Sequence, residues 1–88
     1  MKKIISVHNL GEIRIREYED TNYIDGTPQR RYFTATICGW RGFKFKSKTL
    51  LGSQLLKCTI EYCNYILECI RMNGEESVEK FCTEIYFN

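Results

Sequence analysis

Apolar positions along this chain keep two different periods. Up to about residue 47 they recur at every second position, and from about residue 53 at every third or fourth. In Glu12-Ile13-Arg14-Ile15-Arg16 the two isoleucines fall on one side of an extended chain and the two arginines on the other. Ile5 and Val7 alternate with Ile4, Ser6 and His8, which predicts a first strand over about 3–8. Asn9-Leu10-Gly11 is a turn signal, and the second strand runs from about residue 12 towards Tyr18. Residues 19–29 are polar, with Asp25-Gly26 as a tight turn and Thr27-Pro28 blocking a helix; Tyr23 and Ile24 extend the second strand or pin the loop. A third strand spans about 30–38, with Phe33, Ala35 and Ile37 on one side and Tyr32, Thr34 and Thr36 on the other. Gly39-Trp40-Arg41-Gly42 reads as a glycine-bounded turn, and Phe43 and Phe45 alternate with Lys44 and Lys46 in a fourth strand over about 43–47.

The period then lengthens. Leu55, Leu56, Thr59, Cys63, Ile66, Leu67 and Ile70 form one stripe, and Lys57, Glu61, Asn64, Glu68 and Arg71 the opposite one. This predicts a helix over about 53–72, with Thr49 or Ser53 as N-cap and Asn73-Gly74 as its stop. Val78, Phe81, Cys82 and Ile85 continue at i, i+3, i+4 and i+7, which predicts a short C-terminal helix over about 75–86, with Glu75, Glu76 and Glu79 suiting its first turn. The fold class expected is therefore α+β: an antiparallel sheet of about four strands (residues 3–47) packed on a long helix and a short one, all in one compact domain, 1–88. The core would hold Ile13, Ile15, Phe33, Ala35, Ile37, Phe43 and Phe45 under the long helix.

Composition agrees with one folded unit. The 88 residues include 14% aromatics and one proline, which is unlike a disordered chain, and no apolar run is long enough to cross a membrane. The start, Met1-Lys2-Lys3-Ile4-Ile5, is apolar too briefly for a secretory leader. The five cysteines, Cys38, Cys58, Cys63, Cys69 and Cys82, are odd in number and contain no Cys-x-x-Cys, so they read as mostly buried free thiols in a reducing cytoplasm.

Charge changes the picture more. A net charge of +2 conceals a division: residues 1–48 hold ten Lys or Arg against five Asp or Glu, and residues 49–88 hold three against six. Between 30 and 48 there are six basic residues and no acid. With the helix on the odd positions of the third strand, the sheet's other side would present Arg14, Arg16, Tyr32, Thr34, Lys44 and Lys46. Arg30 would stand at its edge, and Trp40 and Arg41 at the connecting turn. Cations neutralise phosphates, hydroxyls bond phosphate oxygens and an exposed aromatic stacks on a base. These nine residues are the candidate ligand-binding set, with Tyr32 or Trp40 as the stacking ring. A wet sheet face also carries Lys and Thr for solubility alone.

Catalytic signatures are absent. His8 is the one histidine and reads as an edge or surface residue of the first strand; no phosphate-binding glycine loop and no metal-ligand spacing occurs. Tyr62 and Tyr65 read as boundary residues of the long helix, or as protein-binding hot spots. The expectation is a small non-enzymatic protein without cofactor or metal that engages nucleic acid or a nucleotide through its basic face. The layout, three antiparallel strands backed by a helix, resembles that of the arm-binding domains of some phage integrases. The alternative is a phage- or mobile-element-encoded inhibitor, similar in size and style to anti-CRISPR proteins and cyclic-nucleotide sponges. Its partner would be a nucleic-acid-handling protein complex. An exposed edge strand also permits a homodimer.

Overall fold

In a computed structural model the described residues are 2–20, 30–47, 49–50 and 52–87; the side chains of Lys2, Asp20, Arg30 and Arg41 lie outside that description. The turn and loop readings over residues 21–29 also lie outside it. The chain runs β1 (Lys2–Leu10), β2 (Ile13–Asp20), β3 (Arg30–Ile37), β4 (Trp40–Ser47), α1 (Ser53–Asn73), a 3-10 helix (Glu75–Lys80) and β5 (Glu84–Phe87). The five strands form one sheet in the order β1-β2-β3-β4-β5. The first four make an antiparallel meander, and β5 lies parallel to β4. The architecture is α+β, as its periodicity predicts.

Helix α1 packs on β3 and β4 of the sheet and on the 3-10 helix that follows it. Leu55, Thr59, Cys63, Ile66, Leu67 and Ile70 are its buried residues, and Ile13, Ile15, Phe33, Ala35, Ile37, Phe43 and Phe45 are all buried beneath it. Burying these side chains is what holds the two layers together. The buried hydroxyl of Thr59 donates to the Leu55 carbonyl at 2.8 Å, so it costs no unmade hydrogen bond. The helix starts at Gly52 with no side-chain cap rather than at Thr49 or Ser53; the Ser47 hydroxyl accepts from the Thr49 and Leu50 amides instead. It stops at Gly74, whose N–H bonds the Ile70 carbonyl at 2.8 Å.

Three elements correct the sequence reading. The expected helix over 75–86 is a six-residue 3-10 turn followed by a strand. Residues 84–87 alternate in exposure, with Ile85 buried against the core and Tyr86 exposed. Register pairs Phe45 with Ile85 and Lys46 with Tyr86, so joining β4 lets Ile85 and Phe87 complete the core. Phe87 stacks on Phe45 at 6.0 Å, and Tyr62 meets both ring edges at 5.8 and 6.2 Å.

The β3–β4 turn is Cys38-Gly39, not residues 39–42. Both residues have positive φ (50° and 84°), as a two-residue type I′ hairpin requires. Beyond it, Ile37 pairs with Trp40 and Ala35 with Phe43, so Arg41 and Gly42 together oppose Thr36. Gly42, at φ 103°, supplies this bulge.

The cysteines are free, but only Cys63 is buried; Cys38, Cys58 and Cys69 are half-buried and Cys82 is exposed. This replaces the expectation of mostly buried thiols. Burial pushes the Cys63 thiol up to about 12. No helix among the described residues is long and apolar enough to cross a membrane.

Candidate functional site

Register fixes which side chains share the sheet's uncovered side. Arg14 lies opposite Thr36, Arg16 opposite Thr34, and Thr34 opposite Lys44. Directly opposed residues hold their Cβ atoms about 4.5–5.5 Å apart, so Arg16, Thr34 and Lys44 form a row across three strands. Lys46 follows Lys44 at the next same-side position. The isoleucines and phenylalanines between these positions are buried under α1, so the cations must face the other way. The separation of Arg14, Arg16, Lys44 and Lys46 from the helix follows directly from two-residue alternation.

A depression of about 640 Å³ lies on this side, lined by Arg14, Arg16, Thr34, Ala35 and Thr36, by the turn residues Gly11, Glu12, Cys38 and Gly39, and by Gly42 of the β4 bulge. Arg14 Nε donates to Asn9 Oδ1 at 3.0 Å, which draws that guanidinium from β2 towards β1. Glu12 at the rim is engaged elsewhere, since its Oε2 accepts from Arg71 Nη2 at 3.0 Å. Burial, and then the Glu12 carboxylate, raise the Cys38 thiol above its ordinary value. Of the acids with described side chains, the register puts Glu84 alone on this face, opposite Lys44. Glu17 and Glu19 share the helix-facing parity of Ile13 and Ile15, and Glu19 lies 4.0 Å from Arg31 there.

The aromatic assignments change. Tyr32 is on the uncovered side but only 7% exposed. Tyr18 stacks on it at 5.5 Å and 12°, and Lys44 Nζ sits 4.9 Å from its ring centre. Its faces are occupied, so it is not a free stacking platform. Trp40 is not in a turn: it opens β4 opposite Ile37, and that pairing puts it on the helix-covered parity, away from the cations. The bulge causes this, because it shifts the alternation by one between Trp40 and Phe43. Arg30 and Arg41 sit in β3 and β4, and their side chains lie outside the description.

One aromatic was missed. Tyr86 stands on the uncovered side in β5, 60% exposed, with Lys46 Nζ 5.8 Å from its ring centre. Reading residues 75–86 as helix concealed it; the alternation in Glu84-Ile85-Tyr86-Phe87 was the available signal.

His8 is not isolated either. It shares a face with Ser6, and its Nε2 lies 3.2 Å from the Ser6 hydroxyl, which donates to Glu17 Oε1 at 3.1 Å. The Ser6 hydroxyl thus sits between the His8 ring and the Glu17 carboxylate. Among the described residues no group of three His, Cys, Asp or Glu is placed to hold a metal ion. Tyr62 is half-buried among Phe45, Phe81 and Phe87, and Tyr65 is exposed against Phe81 at 5.8 Å.

The chain matches no family model, no curated protein and no solved structure, so its functional reading rests on this geometry.

Proposed function

We propose that the protein is a non-enzymatic binder of a phosphate-bearing ligand, nucleic acid or nucleotide, through the uncovered face of its sheet. The observation that carries this reading is the segregation on that face. Arg14, Arg16, Lys44 and Lys46 stand there beside Thr34 and Thr36; of the acids with described side chains the register adds Glu84, and Glu12 at the rim is paired with Arg71. Arginine and lysine supply charge, and threonine hydroxyls bond phosphate oxygens. Gly11, Gly39 and Gly42 line the depression and put no side chain between a backbone phosphate and the strands. Free thiols suit a reducing cytoplasm. The test is binding of fluorescently labelled oligonucleotides and nucleotides at two salt concentrations. Affinity that falls steeply with salt supports the reading, and no binding at low salt overturns it.

A second reading, an inhibitor that docks on a nucleic-acid-handling protein, is favoured by a different feature. Among the described residues edge strand β1 has no partner on its outer side, and it exposes Ile4, Ile5, Val7 and Leu10. Such an edge accepts an added strand from another protein or from a second copy. Binding of this kind depends little on salt, and a strand-breaking Val7→Pro substitution should abolish it.

A further inference from the structure

We infer that the ligand of the basic face is a single-stranded nucleic acid, crossing the sheet from a base stacked on Tyr86 to backbone phosphates at Arg16 and Arg14. This rests on the phosphate-binding reading above and narrows it.

A nucleotide strand offers flat bases and a charged backbone. Single strands are held by a cationic track with aromatic rings on which bases stack. Among the described residues Tyr86 is the one ring on this face that is both largely exposed and next to a cation, Lys46. Tyr18 and Tyr32 occupy each other. Lys46 and Lys44 then lead across β4, and Arg16 and Arg14 receive the strand on β2. Neighbouring strands are about 4.8 Å apart, so β5 to β2 is a crossing of about 14 Å. That exceeds the reach of one phosphate group and suits a short extended run of nucleotides. Glu84 lies beside Lys44 and keeps the backbone on the Lys46 and Arg16 sides of it.

The same dimensions disfavour a duplex. A face of five strands is about 19 Å across, against a major groove of about 12 Å. Paired bases are also stacked on one another and leave Tyr86 nothing to cover.

The experiment is fluorescence anisotropy at 50 mM salt with three probes: a labelled eight-nucleotide single strand, the duplex of the same sequence, and inorganic polyphosphate of matched charge as competitor. The proteins are wild type, Tyr86→Ala, Tyr86→Phe and Trp40→Ala. The single strand should bind at least tenfold tighter than the duplex, and polyphosphate should displace it only weakly. Tyr86→Ala should lose about tenfold or more, with the salt slope unchanged because no phosphate contact is removed. Tyr86→Phe and Trp40→Ala should bind as wild type. Equal binding of strand and polyphosphate, tighter binding of duplex, or wild-type affinity in Tyr86→Ala each overturns the single-strand assignment while phosphate binding stands. Failure of all three probes to bind overturns both.

Discussion

Replacing Lys44 and Lys46 by glutamine removes two of the four described cations on the uncovered face. For single strands, the logarithm of affinity falls against the logarithm of salt with a slope of about −0.7 per neutralised phosphate. Four contacts give a slope near −2.8, so affinity should fall about 50-fold between 50 and 200 mM salt. With Arg14 and Arg16 alone the slope should be near −1.4, a loss of about sevenfold over the same range. The variant should remain folded. Each lysine also sits over a tyrosine ring, Lys44 at 4.9 Å from Tyr32 and Lys46 at 5.8 Å from Tyr86. Such contacts are worth about 0.5–1 kcal/mol at exposed sites, so the pair costs about 1–2 kcal/mol, against the roughly 5–15 kcal/mol usual for a domain. The assay is anisotropy of a labelled oligonucleotide across that salt range, with circular dichroism to verify folding. A folded Lys44→Gln/Lys46→Gln variant with the wild-type slope would refute the placement of phosphates on β4.

Three further outcomes follow from the same geometry. Glu84→Gln removes the acid opposite Lys44 and should tighten oligonucleotide binding about 1.5- to 5-fold, from the 0.2–1 kcal/mol of an exposed charge pair; weaker binding would count against the proposed path. Cys38→Asn places Asn-Gly in the type I′ turn, where Cys38 now holds φ 50°, and should stabilise the fold by about 0.5–1 kcal/mol in urea melts. The Cys63 thiol, raised to about 12 by burial, keeps its proton in the folded state while the unfolded thiol ionises near 9. Its contribution to stability is full below pH 9 and is lost as pH rises from 9 towards 12, so the urea midpoint should fall across that window, and less in Cys63→Ala than in wild type.

The long helix and the core were legible because their periods are long and unbroken. The stripe from Leu55 to Ile70 repeats through about four turns, and Ile13, Ile15, Phe33, Ala35, Ile37, Phe43 and Phe45 are each buried as alternation requires. The four cations of the face were legible for the same reason. The errors lie where the pattern is short or depends on a distant partner. Val78, Phe81, Cys82 and Ile85 fit a helical face, and only a four-residue alternation opposes them. The choice is made by the edge of β4, which Ile85 and Phe87 complete from some forty residues away in the chain. Trp40 was misplaced because a bulge at Arg41 and Gly42 shifts parity, and alternation carries no mark of where an extra residue is absorbed. Tyr32 fits its predicted side, but its burial comes from Tyr18 on β2, a pairing that the register settles and the local pattern does not. The aromatic component of the site was thus hidden by the misreading of the C-terminal segment, while its charge was plain.

The most direct test of a ligand-binding uncovered face is a titration of isotope-labelled protein with a short single-stranded oligonucleotide, followed by nuclear magnetic resonance. The account predicts saturable shifts in the side-chain N–H signals of Arg14 and Arg16 and in the amides of Thr34, Lys44, Lys46 and Tyr86, with Lys57, Glu61 and Glu68 on the outer side of α1 unmoved. Shifts confined to α1 or to the outer edge of β1, or no shifts at 50 mM salt, would contradict it.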